Sequence, residues 1–154
     1  MRILVDADAC PVKDIIEEVA KNYDMEVIMI CNPNHVLQSS YSEIVVVDGN
    51  SQAADIAIIN RTTKGDLVIT QDYGLASLVL AKHALAIHPS GKVYDPENIE
   101  GLLMQRFVNQ KARQAGLRTV NPKKRKASDN ENFRFHFVRI LNDHLSVTGD
   151  NITR

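Results

Sequence analysis

At 154 residues the chain is long enough for one domain with a real hydrophobic core. Hydrophobic residues make up 44% and charged residues 24%, which excludes disorder over most of the length, and no apolar run is long enough to span a bilayer. The net charge of −1 conceals a gradient, because Lys123, Lys124, Arg125 and Lys126 form a basic block while the aspartates of interest fall before residue 73.

Arg2 to Val5 reads as a short buried strand, and Pro11 to Tyr23 as a helix with Val12, Ile15, Ile16, Val19 and Ala20 at helical spacing and Pro11 in its first turn. Glu26 to Cys31 predicts a second strand, Asn32-Pro33-Asn34 a loop, Glu43 to Val47 a third strand, and about Ser51 to Asn60 a helix. Leu67 to Thr70 gives a fourth strand, Gly74 to His83 a helix despite its early glycine, and Leu85 to His88 a short edge strand. Short apolar strands alternating with helices indicate a mainly parallel sheet covered on both faces, so the fold class is α/β, a three-layer α/β/α sandwich.

Farther on, Pro96 to Gly116 predicts a longer helix with a stripe of Ile99, Leu102, Leu103, Phe107 and Val108. Asn121 to Asn132 is polar and basic and reads as a mobile linker. FRFHFVRIL fits a strand through Phe133, Phe135 and Phe137, or a helix through Phe133, Phe137, Ile140 and Leu141; the helix is favoured. The expected organisation is an α/β domain over residues 1–120, then a basic linker and a C-terminal helix over 121–154 that packs on the same domain.

Three apolar runs end in acids, at Asp6 and Asp8, at Asp48 and at Asp72. In an open parallel sheet ligands bind beyond the carboxyl ends of the strands, where strand order reverses. Asp55 sits instead in a predicted helix on the face shared with Ile58 and Ile59, where a carboxylate loses hydration unless a cation or donors compensate. Asp6, Asp55 and Asp72 are expected to converge, with Asp8 beside them; Asp48 is a further candidate for the cluster, although its place before Gly49 suits a turn better. Asp66 starts the fourth strand, roughly 15 to 20 Å from Asp72 at about 3.3 Å per residue, and reads as structural. Clustered carboxylates need protons or a divalent cation, and no lysine or arginine among these acids offers a counter-ion. Oxygen ligands without histidine or cysteine suit Mg²⁺ or Mn²⁺, which points to phosphodiester hydrolysis.

The stretches VDADACPVK, DGNSQAAD and KGDLVITQD together resemble the YaiI/YqxD family of uncharacterised bacterial proteins, whose fold is related to PIN nuclease domains. The resemblance implies that Asp6, Asp55 and Asp72 are acidic metal ligands with Asp8 as an accessory, in a nuclease acting on RNA or single-stranded nucleic acid.

Other residues carry two readings each. Asp72 suits a helix cap as well as a ligand, and Asp8 suits a cap acting through the Cys10 amide. Lys13 is a candidate for holding phosphate at a helix start, Arg61 and Lys64 for flanking a nucleic-acid path, and Lys123, Lys124, Arg125 and Lys126 for attracting a polyanion; each is also an ordinary surface residue. Cys10 is either an acidified thiol or a buried bystander, and His88 suits a turn. Cys10 and Cys31 form no zinc pattern, and Arg2, Asp6 and Asp8 interrupt any signal-peptide core, so a cytoplasmic protein with free thiols is expected. The alternatives are a catalytically silent nucleic-acid-binding module, a phosphoryl receiver with Asp48 as acceptor, and a haloacid-dehalogenase-like phosphatase.

Overall fold

The computed structural model describes residues 1–35, 37–50, 52–120 and 123–152. Among these, strands β1 (Ile3–Asp6), β2 (Val27–Cys31), β3 (Glu43–Val46), β4 (Leu67–Ile69), β5 (Leu85–Ile87) and β6 (Val93–Tyr94) form one sheet in the order β3-β2-β1-β4-β5-β6. All pairs are parallel except β5 with β6, and Ile3 lies between Val27 of β2 and Leu67 of β4. The helices are α1 (Lys13–Asn22), α2 (Gln52–Arg61), α3 (Tyr73–Ala81), α4 (Pro96–Gln114) and α5 (Ala127–Ile152).

Strand alternation sorts the apolar residues into two cores. Ile3, Val5, Val27, Met29, Leu67 and Ile69 face α1 and α5, and Leu4, Ile28, Ile30 and Val68 face α2, α3 and α4. The chain is therefore a three-layer α/β/α sandwich. Among the described residues no helix is long and apolar enough to cross a membrane.

The C-terminal segment takes the helical form. Phe133, Phe137 and Leu141, four residues apart, are each 0% exposed, whereas Phe135 is 62% exposed, so the four-residue period and not the two-residue one is buried. Helix α5 also begins earlier than the linker reading allowed, because the Asp129 carboxylate accepts the Lys126 N–H at 2.8 Å and caps it. Asn121 of that linker, with Pro122, lies outside the described residues, as does Ser51 at the expected start of α2. Arg125 donates to the Pro89 carbonyl at 3.0 Å and Asn132 to the Ser90 carbonyl at 2.7 Å, clasping α5 to the loop after β5. Gly91 has φ of 97° and a Cβ there would lie 2.6 Å from Asn132, so only glycine fits under the clasp.

Other expectations need correction. Strand β5 is not at the edge, because the two residues of β6, too short to show a period, pair outside it. Helix α1 starts at Lys13, after Pro11, and its cap position, Val12, supplies no side-chain bond. Asp8 does not cap it; both Asp8 oxygens accept the Asn32 N–H, at 3.0 and 3.1 Å, tying the β1 loop to the β2 loop. The expected α4 stripe is buried only at its start: Ile99 is buried, Leu102 and Leu103 partly so, and Phe107 and Val108 are exposed.

Asp66 is structural, as its position indicated. Buried at the amino end of β4, it accepts the N–H and guanidinium of Arg2 and the N–H and hydroxyl of Thr63. Burial alone would raise its carboxyl, but these donors outweigh it and hold the group below the ordinary 3.8. Its contribution to stability is thus complete above pH ~4 and is lost as pH falls through the lowered folded value. Asp66→Ala is expected to cost about 2–3 kcal/mol in denaturant unfolding at neutral pH, by orphaning those donors.

Candidate active site at the carboxyl edge of the sheet

The chain winds from β1 outward through β2 to β3, then returns to lay β4 and β5 on the other side of β1. Strand order reverses between β1 and β4, and the crevice at their carboxyl ends is the expected ligand site of such a sheet. Asp6 is the last residue of β1, and Thr70 follows the last residue of β4. The Thr70 hydroxyl donates to Asp6 Oδ2 at 3.1 Å and accepts the Asp72 N–H at 3.0 Å. Buried Tyr94 on β6 donates its hydroxyl to the Thr70 carbonyl at 3.1 Å, so the outermost strand steadies this turn.

Asp72 is the N-cap of α3, accepting the Leu75 N–H at 3.2 Å. The cap does not remove it from the site, since it lines one cleft with Asp6 and its charge acts on both Asp6 and Asp55. The Arg106 guanidinium on α4 reaches Asp72 Oδ1 at 3.4 Å, long for a charge-assisted bond. A Cβ on Gly74 would lie 3.2 Å from that same oxygen, which explains a glycine in the first turn of a helix. Asp6, Ala9, Gln71, Asp72, Tyr73 and Arg106 line an open cleft of about 350 Å³.

Asp55 enters from the first turn of α2 and is half-buried. Burial first, then the charges of Asp72 and Asp6 and a hydrogen bond shared with Asp72, raise its carboxyl from 3.8 to about 6, with Arg106 opposing. Burial also raises Asp6; the Thr70 bond opposes it, and the charges of Asp8 and Asp72 add to it. The charges of Asp72 and Asp6 thus act on Asp55, and those of Asp8 and Asp72 on Asp6; Asp6 and Asp72 share the cleft, which Asp55 and Asp8 do not line. Among the described residues, however, no three carboxylate, imidazole or thiol groups are gathered closely enough to hold a metal as they stand.

The Asp55 shift carries a pH prediction. The folded chain binds Asp55's proton more tightly than the unfolded chain, so this contribution is complete below pH ~4 and stability falls as pH rises through about 6. Asp55→Asn is expected to flatten that slope in melting curves taken across the window. Above pH 6 it should stabilise the fold by about 1 kcal/mol, allowing for solvent screening.

The remaining candidates scatter. Asp48 lies after β3 and lines a neighbouring crevice with Asp8, Asn32 and Asn34, apart from the cleft that holds Asp6 and Asp72. The Lys13 ammonium donates to the Ala7 and Cys10 carbonyls at 3.3 and 3.0 Å, bracing the loop after β1. Arg61 ends α2 and Lys64 precedes β4, so both lie at the amino edge beside Asp66, opposite the acids. Lys123, Lys124, Arg125 and Lys126 are all exposed, and Arg125 is also held by the clasp near Cys10 and His88. Burial pushes the Cys10 thiol up, as for a bystander, and His88 accepts the Ser90 N–H within its turn. Both cysteines are buried and free.

Two site residues carried little or no signal in sequence. Arg106 supplies the counter-ion that the motifs lack, and it reaches Asp72 from 34 positions away only because the start of α4 packs on α3. Thr70 was detectable only as a polar residue closing LVIT.

An acidic crevice thus lies at the reversal point of the α/β sheet, with a guanidinium at its rim. The chain belongs to the uncharacterised YaiI/YqxD family, whose profile matches residues 4–143. It is similar to UPF0178 proteins of Clostridium kluyveri, at 46% identity over 92% of this chain and 93% of the relative, and of Clostridium tetani, at 53% over 85% and 90%. A UPF0178 protein of Natranaerobius thermophilus is 48% identical over 87% of this chain and 91% of its own. No solved structure matches the chain.

Proposed function

We propose that this protein is a divalent-metal-dependent nuclease that hydrolyses phosphodiesters of RNA or single-stranded nucleic acid. The observation that carries the reading is the proximity of Asp6, Asp55 and Asp72, from three separate elements: the charge of Asp72 raises the proton affinity of both others, and that of Asp6 raises Asp55's. Such crowding is the condition a cation relieves. Mg²⁺ and Mn²⁺ keep several waters and need only one or two carboxylates, so the reading asks for Asp6 and Asp72 and not for a closed cage, which the described residues do not form.

Asp6 and Asp72 would hold the ion, with Asp55 joining on loss of its proton and Asp8 as an accessory. When bound, the ion supplies Lewis acidity, lowering the pKa of water and offsetting charge on the leaving oxygen. Thr70 orients Asp6, and the α3 amide orients Asp72. Arg106 can leave its long contact with Asp72 to hold a phosphate oxygen.

The Arg106–Asp72 ion pair also favours a second reading, a catalytically silent nucleic-acid-binding module whose acid is already neutralised. Purified protein incubated with labelled RNA and DNA, with and without Mn²⁺, separates the two. The nuclease is expected to cleave only with metal; salt-sensitive binding without cleavage would leave the silent module.

A further inference from the structure

A second cleft, of about 400 Å³, adjoins the acidic one and shares two of its walls, Tyr73 and Arg106. Its other wall is α4, where Leu102, Gln105, Arg106, Asn109 and Arg113 recur at three- and four-residue spacing and so form one stripe. This stripe shares Leu102 with the apolar one that packs α4 onto α3, and its other members are groups that read nucleotides. Tyr73 is half-buried, and its ring is steadied edge-on by Tyr94 at 6.0 Å. Arg113 is positioned by its Nε–H bond to the Thr119 hydroxyl at 2.9 Å, which leaves its terminal nitrogens to meet an anion. Arg106 and Arg113 stand about 10 Å apart along the helix at 1.5 Å per residue.

We propose that this cleft is a subsite for single-stranded nucleic acid, which stacks one base on Tyr73, offers its edge to the amides of Gln105 and Asn109, and sets its backbone phosphates against Arg106 and Arg113. A lone aromatic wall takes an unstacked base and not one already stacked in a duplex. The amides carry both a donor and an acceptor, the combination that matches base edges. The subsite rests on the nuclease reading in one respect: the strand leaving it passes the rim at Arg106 and enters the Asp6–Asp72 cleft.

The test is binding of a short fluorescent single-stranded RNA in EDTA, read by anisotropy over a salt series, so that neither metal nor turnover enters. Tyr73→Ala is expected to weaken binding about tenfold, and Tyr73→Phe to restore it. Arg113→Gln should reduce the slope of log affinity against log salt by about 0.7, the value for one phosphate contact on a single strand. Arg139→Gln, on the exposed side of α5, is the charge control. Circular dichroism shows that each variant is folded. Unchanged binding in both Tyr73→Ala and Arg113→Gln overturns the subsite, as does an equal loss in Arg139→Gln, or competition by polyglutamate as effective as by RNA. If these variants lose binding while no variant or wild type cleaves with Mn²⁺, the nuclease reading fails and the subsite stands; cleavage with unaltered binding removes the subsite alone.

Discussion

Asp72→Asn is expected to reduce metal-dependent phosphodiester cleavage by about a thousandfold while leaving thermal stability unchanged. The reduction follows from losing a carboxylate that holds the ion, whose charge stabilisation is worth several kcal/mol at about 1.4 kcal/mol per tenfold in rate. The unchanged stability follows from the cap. Asparagine is as good an N-cap as aspartate, so the Leu75 N–H keeps its acceptor. Asp72→Ala should lose both, with about 1 kcal/mol of stability gone as well. Asp6→Asn is expected to lose cleavage similarly and to keep or gain stability, because burial already disfavours the Asp6 charge. Rates from single-turnover cleavage, set beside melting temperatures, separate these outcomes. Full activity in Asp72→Asn would reduce Asp72 to a cap and leave the cleft without its proposed chemistry.

Phe137→Ala is expected to destabilise the whole protein by about 3–5 kcal/mol in denaturant unfolding. Phe137 is 0% exposed, stacks on Phe133 with ring centroids 5.3 Å apart, and lies in the same core cluster as Ile3, Val5 and Ile69 of the central strands. The cavity left by its ring therefore opens inside the core on the α1 and α5 side of the sheet. Phe135→Ala, two residues away on the exposed face, should stay within about 0.5 kcal/mol of wild type. The pair decides how the C-terminal helix belongs to the fold. One cooperative transition, shifted only by Phe137→Ala, makes α5 part of the domain; a core transition unmoved by that change would make the helix an appendage.

The fold was legible because its signals are local. A run such as LVIT is apolar throughout since both faces of a central strand are buried, and Phe133, Phe137 and Leu141 announce a helix by their spacing alone. Where the segment was too short or the chemistry not periodic, legibility failed. Strand β6 is two residues, and the basic stretch before α5 read as a linker because its anchors, Arg125 and Asn132, bond to a distant loop. A cap is one of the two uses that sequence offers for Asp8, being the nearest for an aspartate there, yet its hydrogen-bond partner is Asn32, 24 positions on.

The site divides the same way. Sequence by itself determined the α/β alternation, the acids that end the strands, and the contrast between Asp66 at one end of β4 and Asp72 at the other. Periodicity and turn chemistry act over a few residues, so a chain carries them wherever it goes. Only the tertiary structure decided that Asp48 stands aside, that Thr70 holds Asp6 across 64 positions, and that Arg106 meets Asp72 beside a cleft in which Tyr73 is a wall. Those contacts depend on strand order and on how α4 docks against α3, and docking is set by the summed packing of many side chains, with no mark at the residues it brings together.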